Sequence, residues 1–302
     1  MLQIIKPGVN INFIRMRKVA FSFSALLVVA GLLSLVSKGG PNYGIDFTGG
    51  LMLHVGVDPA VEISEVRRAV SGLQVGEISV QEFGSQPGEF LLRIPTGEDQ
   101  VAGGRAASIK AALREAFEGR GFEEKRTEIV GPRVGKELRR RGILSVLFAT
   151  VMMGAYIAIR FDLRFGLGAA LALAHDVLIT LGALSLANVE VNLSVVAALL
   201  TVVGYSVNDT VVVSDRIREN LKRLRHQEIG SLINRSINET LSRTILTTGT
   251  SLMVLFSLFF FGGGVIHSFA FTLLVGLTAG TYSSIFIASP VVEYWKRDKP
   301  GF

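Results

Sequence analysis

The feature that most constrains this chain is the recurrence of apolar runs long enough to cross a lipid bilayer, at residues 19–37, 142–159, 165–187, 192–214, 243–261 and 265–290. A hydrocarbon core about 30 Å thick needs about 20 apolar residues of helix. Within it every backbone amide must be bonded inside the protein, which leaves helices and closed barrels, and runs of this length read as helices. A composition of 49% hydrophobic and 19% charged residues agrees with a chain that is mostly membrane-embedded. The net charge of +6 would suit nucleic acid, but a membrane protein carries Lys and Arg on its cytoplasmic loops in any case, so no nucleic-acid partner is expected.

Six spans place both termini on one side. Lys6, Arg15, Arg17 and Lys18 precede the first span, Arg160 and Arg164 separate the second from the third, and the connection after the fourth is basic. The positive-inside rule therefore makes residues 1–18, the 215–242 loop and the 291–302 tail cytoplasmic. The connections at Asn188–Val191 and Gly262–Gly264, free of Lys and Arg, fall outside. One cluster dissents, because Lys136 and Arg139, Arg140 and Arg141 abut the outer end of the second span. The first span is expected to be an uncleaved anchor, since its apolar run exceeds a signal-peptide core and no small-x-small site follows before Lys38. The chain has no cysteine and only four histidines, His54, His175, His226 and His267, without metal-ligand spacing. No nucleophile set or phosphate-binding glycine loop is visible either, so neither an enzyme nor a bound cofactor is expected.

Residues 38–141 read as an extracytoplasmic domain. Leu51–Val57 suits a strand, and Glu62–Leu73 carries apolar residues at helical spacing through Ile63, Val66, Ala69, Val70 and Leu73. Glu77–Phe83 and Glu89–Ile94 flank the turn Gly84-Ser-Gln-Pro-Gly88 and form a hairpin. A helix over 99–118 ends at Gly119 and Gly121, and Phe122–Val130 supplies the last strand. The order βαββαβ is a small α+β, ferredoxin-like unit, an architecture that implies no activity by itself.

The candidate site lies in the spans. Asp209 sits in the fourth, about six residues before Asp215, or roughly 9 Å from the cytoplasmic boundary. A carboxylate at such depth costs a few kcal/mol, and those that persist usually face a bundle interior and handle ions or protons. Its neighbours Tyr205, Ser206, Asn208 and Thr210 give that turn hydrogen-bonding capacity. A purely structural helix–helix hydrogen bond is the competing reading. Arg243 opens the fifth span on the same side and is the candidate counter-charge; an ordinary snorkelling anchor is the alternative. Thr244, Thr247, Thr248, Thr250 and Ser251 follow it. His175 and Asp176 form a second buried polar pair in the third span, able to relay protons or simply to be satisfied within the bundle.

The run Gly204-Tyr-Ser-Val-Asn-Asp-Thr-Val-Val-Val-Ser-Asp-Arg-Ile-Arg-Glu-Asn220 resembles the fourth-span signature of the SecF branch of the SecD/SecF family, within the resistance-nodulation-division superfamily. Tyr43-Gly-Ile-Asp-Phe-Thr-Gly-Gly50, Val130-Gly-Pro-Arg-Val-Gly-Lys-Glu-Leu138, Ala174-His-Asp176 and Ser242-Arg-Thr244 agree with it in order, so the likeness covers nearly the whole chain. The resemblance implies half of a transporter of that superfamily, a separate SecF rather than a fused SecDF, in the bacterial inner membrane. It further implies a SecD partner, the SecYEG translocon with SecA, the accessory proteins YajC and YidC, and an unfolded polypeptide as cargo. The proton gradient takes the place of a cofactor. Carried across by motif, Asp209 is the proton-responsive acid, Arg243 its coupling partner, and a second acid comes from SecD. Gly49-Gly50 and Pro132–Gly135 then become junctions between domain and spans, against a plainer reading as strand-entry and loop glycines. A small-molecule proton-coupled exporter subunit and a non-transporting translocon scaffold are the alternatives. The single small domain and six spans count against the exporter.

Overall fold

The computed structural model describes residues 10–58, 60–73, 78–83, 87–94, 102–224 and 227–297. His226 and the predicted turn at 84–86 lie outside them. Six helices are long and apolar enough to cross a membrane. They are α1 (Phe13–Ser37), α5 (Pro132–Arg160), α6 (Leu163–Leu186), α7 (Leu193–Arg223), α8 (Ile229–Phe261) and α9 (Gly263–Ser283), the last continuing through a π-helical turn, Ser284–Ala288, into α10 (Ser289–Arg297). Polar side chains start several of them. Asn12 Oδ1 accepts from Arg15 N at 3.0 Å, Asp162 Oδ1 from Arg164 N at 3.2 Å and Asn192 Oδ1 from Val195 N at 3.0 Å, satisfying amides that a helix start leaves free.

The helices run beyond the predicted spans. The 215–242 connection is largely helical: α7 continues to Arg223, through the helix extension expected at Asp215, Arg216, Arg218 and Glu219, and α8 begins at Ile229, well before the predicted fifth span. Polar residues hold this extension together: Asn220 Nδ2 donates to Ser236 Oγ at 3.0 Å and to Glu239 Oε2 at 2.9 Å. The incoming chain is tied to the same region, where Phe13 N donates to Asn234 Oδ1 and Ile11 N to Asn238 Oδ1. Small residues set the closest packing: a Cβ added to Gly31 of α1 would lie 2.6 Å from the Cα of Gly182 in α6.

Between α1 and α5 the chain forms β1 (Gly50–Asp58), α3 (Ile63–Ser71), β2 (Ser79–Glu82), β3 (Glu89–Ile94), α4 (Ala102–Ala116) and β4 (Gly121–Val130). These follow the expected βαββαβ order and make one antiparallel sheet, β2-β3-β1-β4. Alternation along the strands divides its faces. Leu51, Leu53, Val55, Phe90, Leu92 and Ile94 are buried with Ile109 and Leu113 of α4 and Val66 and Val70 of α3. Met52, His54, Leu91 and Arg93 line a cleft of about 800 Å³ between the other face and the α6–α7 turn.

A short helix, α2 (Ile45–Thr48), was not foreseen. It delivers the chain to Gly49 and Gly50, whose φ angles of +75° and +149° suit glycine. A Cβ on Gly49 would approach the Cα of Pro132 to 2.6 Å, and one on Gly135 would approach Gly49 N to 2.8 Å. Gly49 and Gly50 open β1, as the strand-entry reading expects, while Gly135 is not a loop glycine but lies within α5, packed closely on Gly49. That helix begins ten residues before the predicted span, so Arg139, Arg140 and Arg141 sit in its first turns beneath the domain. The Arg139 guanidinium lies 4.5 Å over the Tyr43 ring, and Arg141 Nε pairs with Glu137 at 2.7 Å.

Candidate functional site

Helices α6, α7, α8 and α9 bury two carboxyl groups. Asp209 of α7 is 3% exposed. Its Oδ2 lies 3.5 Å from the Thr248 hydroxyl of α8 and 3.4 Å from the Thr281 hydroxyl of α9, and these two are 2.9 Å apart; with one proton each, one threonine donates to the other, which donates to Asp209. The contacts are long. A hydroxyl donates to a carboxylate and accepts from a carboxylic acid, so the same pair of threonines serves either protonation state.

Arg243 does not make the expected ion pair with Asp209. It is exposed, on the wall of a cavity of about 440 Å³ lined also by Tyr156, Arg160, Asp215, Glu219 and Glu239, and its charge reaches Asp209 only at longer range. The reason is helical phase: Thr244 and Thr248 of α8 turn inward, and Arg243, Thr247, Thr250 and Val254 turn outward. On α7 the exposed positions Thr201, Gly204, Asn208 and Asp215 follow the same three- and four-residue spacing. The two helices thus present polar stripes on the outside of the bundle.

Asp176 of α6 is 1% exposed and more fully bonded. Its Oδ2 accepts from Ser206 Oγ of α7 at 2.6 Å and Ser283 Oγ of α9 at 2.8 Å, and Oδ1 lies 3.0 Å from His175 Nδ1. His175 Nε2 is 3.2 Å from Ser24 Oγ of α1, which reaches Tyr282 Oη at 3.1 Å. His175 is therefore hydrogen-bonded by Asp176 of its own helix and Ser24 of α1, and its ring stacks on that of Tyr282 at 6.0 Å. The other candidates divide. Ser206 serves Asp176, Thr210 bonds Ser284 at 2.9 Å, Tyr205 reaches Ser251 at 3.2 Å, and Asn208 faces outward without bonding either acid.

Sequence reasoning missed the α9 partners. Thr281, Tyr282, Ser283 and Ser284 follow Gly280, where a Cβ would come within 2.9 Å of the Ser206 Cβ, and so this hydroxyl-rich turn lies directly against α7. Four consecutive hydroxyls inside an apolar span were the available signal. The π-helical turn starts at Ser284, a distortion frequent at functional sites. No group of three or more His, Asp or Glu side chains able to hold a metal occurs among the described residues.

Six apolar helices packed around two buried acids, with one split βαβ domain between the first two, define a polytopic membrane protein with an ionisable interior. Residues 108–298 match the C-terminal family of SecD/SecF protein export membrane proteins, and residues 34–61 match the SecD/SecF GG motif. The protein translocase subunit SecF of Desulfurispirillum indicum is 49% identical over 95% of this chain and 92% of its own, and that of Vibrio alginolyticus is 44% identical over 96% and 91%. The crystal structure of SecDF, a translocon-associated membrane protein from Thermus thermophilus, superposes with a TM-score of 0.81 at 39% identity. It covers 96% of this chain, which spans about two-fifths (39%) of that longer one. This chain belongs to the SecF family of protein translocase subunits.

Proposed function

We propose that this subunit joins a SecD-type partner and uses the proton-motive force to complete polypeptide translocation through SecYEG, after SecA, with Asp209 as the titrating group. The observation that carries this reading is a carboxyl buried between three helices whose near partners are two loosely bonded threonines and no counter-ion. A group so placed can change protonation without dismantling its surroundings. Both termini are assigned to the cytoplasm by the basic segments around them. Protonation from outside then weakens the pull between Asp209 and Arg243 and shifts the packing of α7, α8 and α9, and release inward resets it.

The polar stripes on α7 and α8 supply the partner argument. Thr201, Asn208, Arg243, Thr247 and Thr250 are exposed on helices that otherwise turn Leu, Val and Phe outward, and polar groups at that depth need protein rather than lipid. The SecDF chain, of which this chain matches two-fifths, suggests that the covering surface is a second, SecD-like half. Arg243 then faces the seam between the halves, where an acid of the partner can compete for it. YajC and YidC are proposed as further neighbours. Moving one charge through 100 mV yields about 2.3 kcal/mol, enough to bias a two-state packing more than tenfold.

The test is proton-driven translocation by the reconstituted complex. Asp209→Asn should abolish the stimulation by an imposed proton gradient while the complex still assembles. Unchanged stimulation would instead indicate a scaffold. Arg243→Ala should lose coupling without losing insertion, whereas a mere anchor would lose insertion first.

A further inference from the structure

The acid-bearing helices α6 and α7 meet the domain at their outer ends, where Phe47 packs against Leu184, Val195 and Leu199 and where the polar contacts gather at the turn 187–192 between them. Gly44 N donates to Val191 O at 2.8 Å, and Val191 N donates to Asn42 O at 2.7 Å. The first amide of α7, Leu193 N, donates to Asp46 Oδ2 at 2.8 Å. From the sheet, Arg93 of β3 reaches down to pair with Glu190. Asp209 lies sixteen residues further along the same helix, or about 24 Å from Leu193. Displacement of α7 as a unit is therefore passed to Asp46 and Glu190.

Two properties of the Arg93–Glu190 pair are unlike those of a stabilising contact. Burial pushes the Glu190 carboxyl up, Arg93 opposes this, and the nearby Asp46 adds to it. Among the described residues, the buried Arg93 Nε also has no hydrogen-bond partner, a cost that calls for explanation. Buried ion pairs in general add little stability, and their better-attested use is to set one of two arrangements. The cleft beside this pair, between the sheet and the α6–α7 turn, leaves room for the second arrangement.

We propose that Arg93, Glu190 and Asp46 form a breakable joint through which movement of the α6–α7 hairpin is passed to the extracytoplasmic sheet, making them positioning residues of the transport cycle. This rests on the reading of Asp209 given above. The joint acts at the far end of the acid-bearing helices, and Gly49 with Gly135 supplies the close-packed pivot beside it.

This chain has no cysteine, so a single introduced cysteine reports on it alone once its labelled band is resolved from the partner subunits. A reporter, Lys222→Cys, placed at the exposed opposite end of α7, is labelled with a maleimide with and without an imposed proton gradient, and translocation is measured in parallel. Arg93→Ala and Glu190→Ala should each lower proton-driven translocation at least about tenfold while the gradient-dependent change in labelling persists. The exchange Arg93→Glu with Glu190→Arg should recover most of the activity. Wild-type translocation in Arg93→Ala, loss of the labelling change together with translocation, or failure of the exchange to recover activity would each overturn the joint. If Asp209→Asn alters neither readout, the proton reading fails and the joint falls with it; if Asp209→Asn abolishes both while Arg93→Ala alters neither, only the joint fails.

Discussion

Asp176 and Asp209 are buried in one bundle to nearly the same degree, at 1% and 3% exposure, yet their surroundings differ in kind. Asp176 has three close partners on its own and two other helices, at 2.6 to 3.0 Å. Asp209 has two hydroxyls at 3.4 and 3.5 Å. Burial alone therefore does not fix how an acid is bonded. Replacing a fully bonded carboxylate breaks more contacts than replacing a loosely bonded one, so the two acids should respond differently to substitution.

The sharpest way to break this contrast is to neutralise each acid. Asp209→Asn should lower gradient-driven translocation by more than about tenfold and change the unfolding free energy in detergent by less than about 1 kcal/mol. Asp176→Ala should do the reverse in stability, costing about 2–3 kcal/mol by leaving Ser206 and His175 without their shared acceptor, read as a lower melting temperature of the purified chain. Equal losses of stability in both variants would erase the distinction. A finer test compares the hydroxyls. Ser206→Ala should cost about 1 kcal/mol, whereas Thr248→Val should cost less, since Thr281 keeps its own contact with Asp209 after the Thr248–Thr281 bond is lost and Val matches the shape of Thr.

The smallest effect extends the contrast outside the membrane. Glu89 is the well-bonded acid of the domain: the Lys125 ammonium bonded to it holds its carboxyl below the usual glutamate range, His54 Nε2 at 2.8 Å acts in the same sense, and burial opposes both. A carboxyl with a depressed folded-state pKa adds stability that is fully present above its unfolded value and is lost as pH falls through the folded one. The protection factors of amides in β1 and β3 of the full chain, with the intrinsic pH dependence of exchange divided out, should therefore fall as pH drops below the range of an ordinary glutamate. Glu89→Gln should be slightly less protected at neutral pH and should lack that acid limb.

Much of the domain was legible in sequence because its strands alternate and its helices repeat apolar residues every three or four positions, patterns that water enforces on an amphipathic element. α2 was not, since four residues carry no period. The membrane helices were located but cut short: polar residues such as Asn220, Ser236 and Glu239 resemble a loop by composition and are helical because they bond one another across α7 and α8. Within the site, Asp209 and Asp176 stood out as acids in apolar runs, whereas Thr281 and Ser283 did not, because a hydroxyl in a span is common and its partner lies on another helix.

The sequence by itself determined that the chain crosses a membrane about six times, carries one small α+β domain and sinks two acids into its spans, since the cost of exposing apolar surface to water and of leaving amides unbonded in lipid is set residue by residue. Only the tertiary structure decided what those acids touch. Arg243, a natural partner by side and depth, is turned outward by the phase of α8, while hydroxyls of α9, brought against α7 at Gly280, take the acids instead. Which face a side chain occupies depends on how helices far apart in sequence pack, and no local pattern encodes that contact.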